Sequence, residues 1–161
     1  MYDFFIYINE VGINMGAETY QLAESIGYKI TNTAKLVTNR LNHNFKQNDL
    51  PVTNEQWSIM IRLWEKDGLT QNKLAVMTNR DSPSISRLIN NMIKRDLVTR
   101  IAHPVDKRTN LIFLTTTGKK LQEAMIEQAQ LTVNQISAGI TKEEMTHFLK
   151  VLEKIDRNLT E

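Results

Sequence analysis

The sequence predicts a mainly α-helical fold with one two-stranded β-hairpin set into it. Three observations carry that expectation. Apolar residues recur at steps of three and four through most of the chain, the spacing of a helix with one buried face. Two short β-prone runs, Val98 to Ala102 and Asn110 to Thr115, flank a polar tip holding Pro104, Asp106, Lys107 and Arg108. The 161 residues, 41% of them hydrophobic, suffice for one core, and no Pro-, Gly- or Ser-rich linker divides them.

From Gly16 to Lys46, the residues Ala23, Ile26, Ile30, Ala34, Val37, Leu41 and Phe45 form one stripe on a long first helix. Pro51 blocks its continuation, and Thr53 with Gln56 makes a capping box that opens a second helix. That helix shows Trp57, Met60, Ile61 and Trp64 on one face and ends at Gly68. Thr70 caps a short third helix, with Leu74 and Met77 turned inward. After a tight break, Pro83 suits the first turn of a fourth helix, whose core face is Ile85, Leu88, Ile89, Met92 and Ile93. Beyond the hairpin a fifth helix starts near Thr116 and runs through Leu121, Met125, Val133 and Ile136. The last opens with a capping box from Thr141 to Glu144 and carries Met145, Phe148, Leu149, Leu152 and Ile155.

The net charge is only +2, but it is unevenly spread. Residues 80 to 120 hold nine Lys and Arg against three acids, a local balance of +6, so the rest of the chain sums to −4. Such an island is either a solvated surface or the footprint of a polyanion-binding face. The fourth helix decides which reading has chemistry behind it. Its polar residues are Ser82, Ser84, Ser86, Arg87, Asn90, Asn91 and Lys94, with no acid between Asp81 and Asp96. Hydroxyls and amides bond to base edges and phosphates, and an arginine can take both O6 and N7 of a guanine. Two short helices joined by a tight break, with a hairpin directly behind them, read as a winged helix-turn-helix for double-stranded DNA. Arg95 and Arg100 flank that face as expected phosphate contacts or local charge support.

Residues 69 to 121 resemble the winged helix-turn-helix of the MarR (multiple antibiotic resistance regulator) family of bacterial transcription factors. The wing carries the resemblance: a strand, Pro104, Asp106-Lys107-Arg108, a second strand, then "LTTTGKKL", matching the family's D-[RK]-R signature and its following L-T-x-x-G. Helix order extends it over residues 17 to 159. The resemblance implies that Arg108 enters a minor groove, where the negative potential is enhanced, and that Asp106 pairs with Arg108 to hold it aimed. It also implies a homodimer with intertwined terminal helices, which sets two recognition helices about one DNA turn (~34 Å) apart on a palindromic operator. The organisation expected is an N-terminal extension over 1–16, a dimerisation helix over 17–48, the winged DNA-binding region over 49–116, and C-terminal dimerisation helices over 117–161. The alternative is that the terminal helices fold back on their own monomer.

Regulators of this kind are commonly repressors that bind small aromatic or anionic effectors in a crevice beside the dimer helices. Tyr28, Trp57, Met60 and Trp64 are the candidates to line one, although aromatics at helical spacing more often form plain core. With no cysteine, disulfides, zinc ribbons and thiol redox sensing are excluded. The motifs G-x-x-x-x-G-K-[ST], G-x-S-x-G and H-E-x-x-H are absent, so neither an enzyme nor a cofactor is expected. His43, His103 and His147 stand far apart, which leaves a metal-responsive regulator open as one alternative and a winged-helix protein-interaction module as another. The opening "MYDFFIYINE" is too short to span a bilayer and no Lys or Arg precedes Lys29, so a cytoplasmic protein with no membrane partner is expected.

Overall fold

A computed structural model describes residues 22, 25–106 and 108–160. The elements in chain order are α1 (Ile26–Gln47), α2 (Asn54–Glu65), β1 (Leu69–Thr70), α3 (Gln71–Met77), α4 (Ser82–Lys94), β2 (Val98–Ala102), β3 (Asn110–Leu114), α5 (Thr116–Lys120), α6 (Gln122–Ile136) and α7 (Lys142–Thr160). The expected start of the first helix at Gly16 and the extension over 1–16 lie outside the described residues. No described helix is long and apolar enough to cross a membrane.

The chain divides into two compact units, Met1–Arg40 and Leu41–Glu161. In the first, α1 carries Ile26, Tyr28, Ile30 and Leu36 exposed. The second holds the core, in which Phe45, Ile59, Met60, Leu74, Ile85, Ile89, Met92, Ile112 and Met125 are wholly buried. A polar seam joins the end of α1 to α6 within this unit. The Asn44 amide donates to Thr132 Oγ1 at 2.8 Å and to Gln135 Oε1 at 3.0 Å, and the Asn48 amide donates to Gln128 Oε1 at 3.0 Å.

Local chemistry sets the element ends. The Gln56 N–H donates to Thr53 Oγ1 and the Thr53 N–H donates to Gln56 Oε1, the reciprocal cap expected for α2. Gly68 has φ +73, and a Cβ there would press into the Phe113 ring, so both backbone and space require glycine. The break between α3 and α4 turns through Asn79 at φ 49, and the Arg80 N–H closes back on the Ala75 carbonyl at 2.9 Å. Asp81, not singled out in the sequence, is the N-cap of α4 and accepts the Ser84 N–H at 2.6 Å.

The sheet corrects the expectation of a two-stranded hairpin. It has three antiparallel strands in the order β1-β3-β2, with Leu69 opposite Ile112, Val98 opposite Leu114 and Ala102 opposite Asn110. Two residues are too few to show a period of two, which is why β1 left no pattern to read. Asp67 ties this edge down. Its Oδ1 accepts the Leu114 N–H at 2.9 Å, and its Oδ2 lies 3.3 Å from Lys119 Nζ. The fifth expected helix is broken at Leu121 into α5 and α6. On α7 the Thr141–Glu144 capping box is formed, yet no residue is buried, and Phe148 and Leu149 stand 53% and 51% exposed.

Candidate nucleic-acid interface

The α4 helix turns Ile85, Ile89 and Met92 into the core and leaves Ser82, Arg87, Asn90, Asn91 and Lys94 exposed, with Ser84 and Ser86 half-buried. Of the five residues expected on the core face, Leu88 is half-buried and Ile93 lies at the margin, 36% exposed. Among the described residues the ion pairs are Arg62–Glu65, Arg80–Glu55 and Lys119–Asp67. Arg87, Lys94 and Arg108 are therefore in none, and their charges stay available to an external anion.

The three acids of the basic segment are each committed to local geometry. Asp81 accepts both the N–H and the hydroxyl of Ser84, which hold its carboxyl below the usual range, with the nearby Arg87 charge a smaller cause. The carboxylate of Asp96 accepts the Thr117 hydroxyl at 2.6 Å, and its main-chain carbonyl accepts that of Thr115. Asp106 organises the wing tip. Its Oδ2 accepts the Thr109 hydroxyl at 2.6 Å and its Oδ1 accepts the Arg108 N–H at 3.1 Å.

That last geometry corrects the expected role of Asp106. The carboxylate holds the backbone of Arg108 and is in no ion pair with its guanidinium. A short acidic side chain two residues upstream reaches an amide more readily than a guanidinium, the usual Asx-turn arrangement. His103 supports the same turn, with Nδ1 accepting the Asp106 N–H at 3.1 Å and the Val105 N–H at 3.3 Å. Its part was missed in the sequence, where it stood only as a remote metal candidate. Among the described residues no group of three or more metal-ligating side chains gathers. Lys107 lies outside the described residues.

The wing turn should respond to acid. The Thr109 hydroxyl, and after it the Arg108 N–H, lower the Asp106 pKa from the ordinary 3.8. A depressed folded pKa makes the ionised turn fully present above that ordinary value and lost as pH falls through the lower folded one. Amide exchange at Arg108 should accelerate in that acid window. An Asp106→Asn chain should exchange quickly at neutral pH too, because an amide keeps one acceptor oxygen rather than two. Equal protection in the two proteins at pH 7 would contradict this role.

Two flanking cations are also engaged internally. Arg95 Nη1 donates to Gln56 Oε1 at 3.1 Å, on the cap of α2, in keeping with local support. Arg100 is half-buried and donates from Nη2 to Asn90 Oδ1 at 3.0 Å and to Gln71 Oε1 at 3.3 Å. The crevice residues divide. Met60 is wholly buried, so it lines no opening, a correction that follows from its place deep in the core. Trp64 donates from Nε1 to the Gly118 carbonyl at 3.3 Å and packs edge-on against Trp57, with ring centroids 5.7 Å apart. Trp57 alone of the four borders a shallow apolar groove of about 320 Å³, beside Ile61, Ile126 and Val133. Tyr28 is exposed on α1, in the other unit.

Comparison with known proteins shows what this arrangement resembles. Residues 52–109 match the sequence profile of the MarR family. That segment, about a third of the chain, is similar to MarR-family domains. The chain is 24% identical over 116 residues to the uncharacterized HTH-type transcriptional regulator YybA of Bacillus subtilis, covering 72% of this chain and 77% of that one. It is 26% identical over 110 residues to the transcriptional regulator HosA of Escherichia coli, covering 68% and 82%. The S. aureus MepR–DNA complex superposes with a TM-score of 0.76 at 28% identity, over 84% of this chain and 98% of that one. YybA and HosA are transcriptional regulators, and MepR is seen bound to DNA.

Proposed function

We propose that the chain is a sequence-specific, DNA-binding transcriptional regulator, a homodimeric and ligand-responsive repressor acting on a palindromic operator. The α4 helix enters the major groove through Ser82, Ser84, Ser86, Arg87, Asn91 and Lys94, and Arg108 at the wing tip enters the flanking minor groove. One observation carries this reading. The acids of the basic segment are engaged in local hydrogen bonds, while Arg87, Lys94 and Arg108 are in no ion pair among the described residues. The MepR–DNA complex at the same fold supports double-stranded DNA as the partner. Dimerisation through residues 17–48 and 117–161 would cover the exposed apolar faces of α1 and α7. The groove beside Trp57 is almost wholly apolar, which favours an aromatic effector over an anionic one. Such a ligand acts only through a difference in affinity between two spacings of the winged units.

The test is Arg87→Ala, assayed on sequences selected by the wild type and on random duplex. A base-reading arginine should cost roughly 1–3 kcal/mol on the selected sequences and less on random ones. Equal loss on both would place Arg87 on a phosphate and leave α4 without its assigned reader.

A further inference from the structure

The interaction between Arg100 and Asn90 has a consequence for which bases the protein can recognise. Arg100 lies on β2 opposite Ile112, in the strand that leads into the wing, while Asn90 is exposed on α4. A guanidinium has donors and no acceptor, so any amide that faces it must do so with its oxygen. Both amides at this fork obey that rule, with Asn90 Oδ1 at 3.0 Å and Gln71 Oε1 at 3.3 Å from the same Nη2. The arginine is half-buried, and its Nε is a buried nitrogen without a hydrogen-bond partner among the described residues. The two bonds from Nη2 and the partial burial restrain how this guanidinium turns.

An asparagine reads adenine with both ends of its amide, the oxygen accepting from N6 and the nitrogen donating to N7. Oδ1 keeps a second lone pair, but its bond to Arg100 fixes which way the amide faces, so the two-point contact is disfavoured and the NH2 group is the end turned away from Arg100. Guanine offers this NH2 group two adjacent major-groove acceptors, O6 and N7, and thymine offers O4, whereas adenine's one acceptor, N7, stands beside the N6 amine, a donor that faces the NH2 group unfavourably. We propose that Arg100 is a positioning residue that sets the polarity of the Asn90 amide, so that Asn90 selects guanine or thymine and discriminates against adenine. The inference rests on the DNA-binding function proposed above, and it replaces the expectation of Arg100 as a phosphate contact.

The test is selection of bound sequences from a randomised duplex pool at one fixed salt concentration. It uses the full chain as wild type, Arg100→Met, Asn90→Asp and Asn90→Ala, each checked by circular dichroism. A wild type that selects no motif overturns the DNA-binding reading itself, and the inference with it. Where a motif emerges, one position per half-site should favour guanine or thymine over adenine. Asn90→Asp keeps an acceptor for Arg100 but offers no donor, and Asn90→Ala offers neither. Both should lose that preference by about two- to tenfold, the worth of one hydrogen bond. Arg100→Met frees the amide and should raise the share of adenine at that position by a similar factor, leaving the other positions unchanged. Because Asn90 is exposed, its two variants decide the matter even where Arg100→Met fails to fold. An Asn90-dependent position that favours adenine overturns the inference, as do Asn90 variants that change no position. So does an Arg100→Met chain that binds every sequence more weakly with its base preferences intact.

Discussion

A chain ending at residue 140 should lose about 10²- to 10⁴-fold of its affinity for an operator with two half-sites, because two linked recognition units gain that much from binding together. The α7 helix has Phe148, Leu149 and Val151 each about half exposed and buries no residue of its own. An amphipathic helix with an unfilled apolar face is stabilised by covering that face, and a second copy would do so. Truncation risks leaving apolar surface on α6 open to aggregation, so a full-length chain with Phe148→Glu and Leu149→Glu provides the second arm. Both variants should sediment as monomers and bind a single half-site about as tightly as they bind the full operator. A variant that remains dimeric, or keeps wild-type operator affinity, would contradict dimerisation through this helix.

Gly118→Ala is expected to be the most damaging single substitution for the fold, at roughly 3 kcal/mol. A Cβ at this position would fall on the Leu97 carbonyl oxygen and close to the Leu114 side chain. Neither can retreat cheaply. The Leu97 carbonyl accepts the Thr115 N–H at 3.2 Å, and the Gly118 carbonyl accepts Trp64 Nε1 at 3.3 Å. Moving α5 outward would therefore disturb the sheet, the cap of α5 and the tryptophan together. Gly27→Ala provides the control, since a Cβ there meets nothing nearer than Ser25 Oγ at 3.8 Å. It should be neutral or gain up to about 1 kcal/mol from helix propensity. Urea unfolding midpoints measure both, and similar midpoints for the two variants would remove the steric account.

These two positions also show how far the sequence could be read. The L-T-x-x-G pattern around Gly118 was visible, but its physical cause, a helix start pressed against the carbonyl of Leu97, needs the packing of two segments. Helices α2, α3 and α4 and strands β2 and β3 were legible because their caps and periods are local. Thr53 with Gln56, Thr70, and the β-prone runs all act within a few residues. What escaped was non-local or very short. The β1 strand has two residues, and Asp67 reaches Leu114 across 47 positions. Arg95 and Arg100 looked like free cations, because their amide partners lie between 10 and 39 residues away. Spacing along α2 gave the inner face, but it did not give depth, so Met60 and Trp57 looked alike where one is wholly buried and the other borders a groove. In the wing the residues were found and the contact was not. Sequence puts Asp106 near Arg108, and only geometry separates a bond to the backbone from a bond to the guanidinium.

The central claim is that Arg87, Lys94 and Arg108, which are in no ion pair among the described residues, seat against duplex DNA and neutralise its phosphate charge. The measurement that meets it most directly is the salt dependence of affinity for a selected operator. Each phosphate neutralised adds about −0.9 to the slope of log K against log salt, so Arg87, Lys94 and Arg108 on each of two subunits predict a slope of about −5. Arg108→Ala should flatten that slope by about 2 in the dimer, one neutralising charge being lost from the minor groove per subunit. A slope near zero, or one that Arg108→Ala leaves unchanged, would contradict the account.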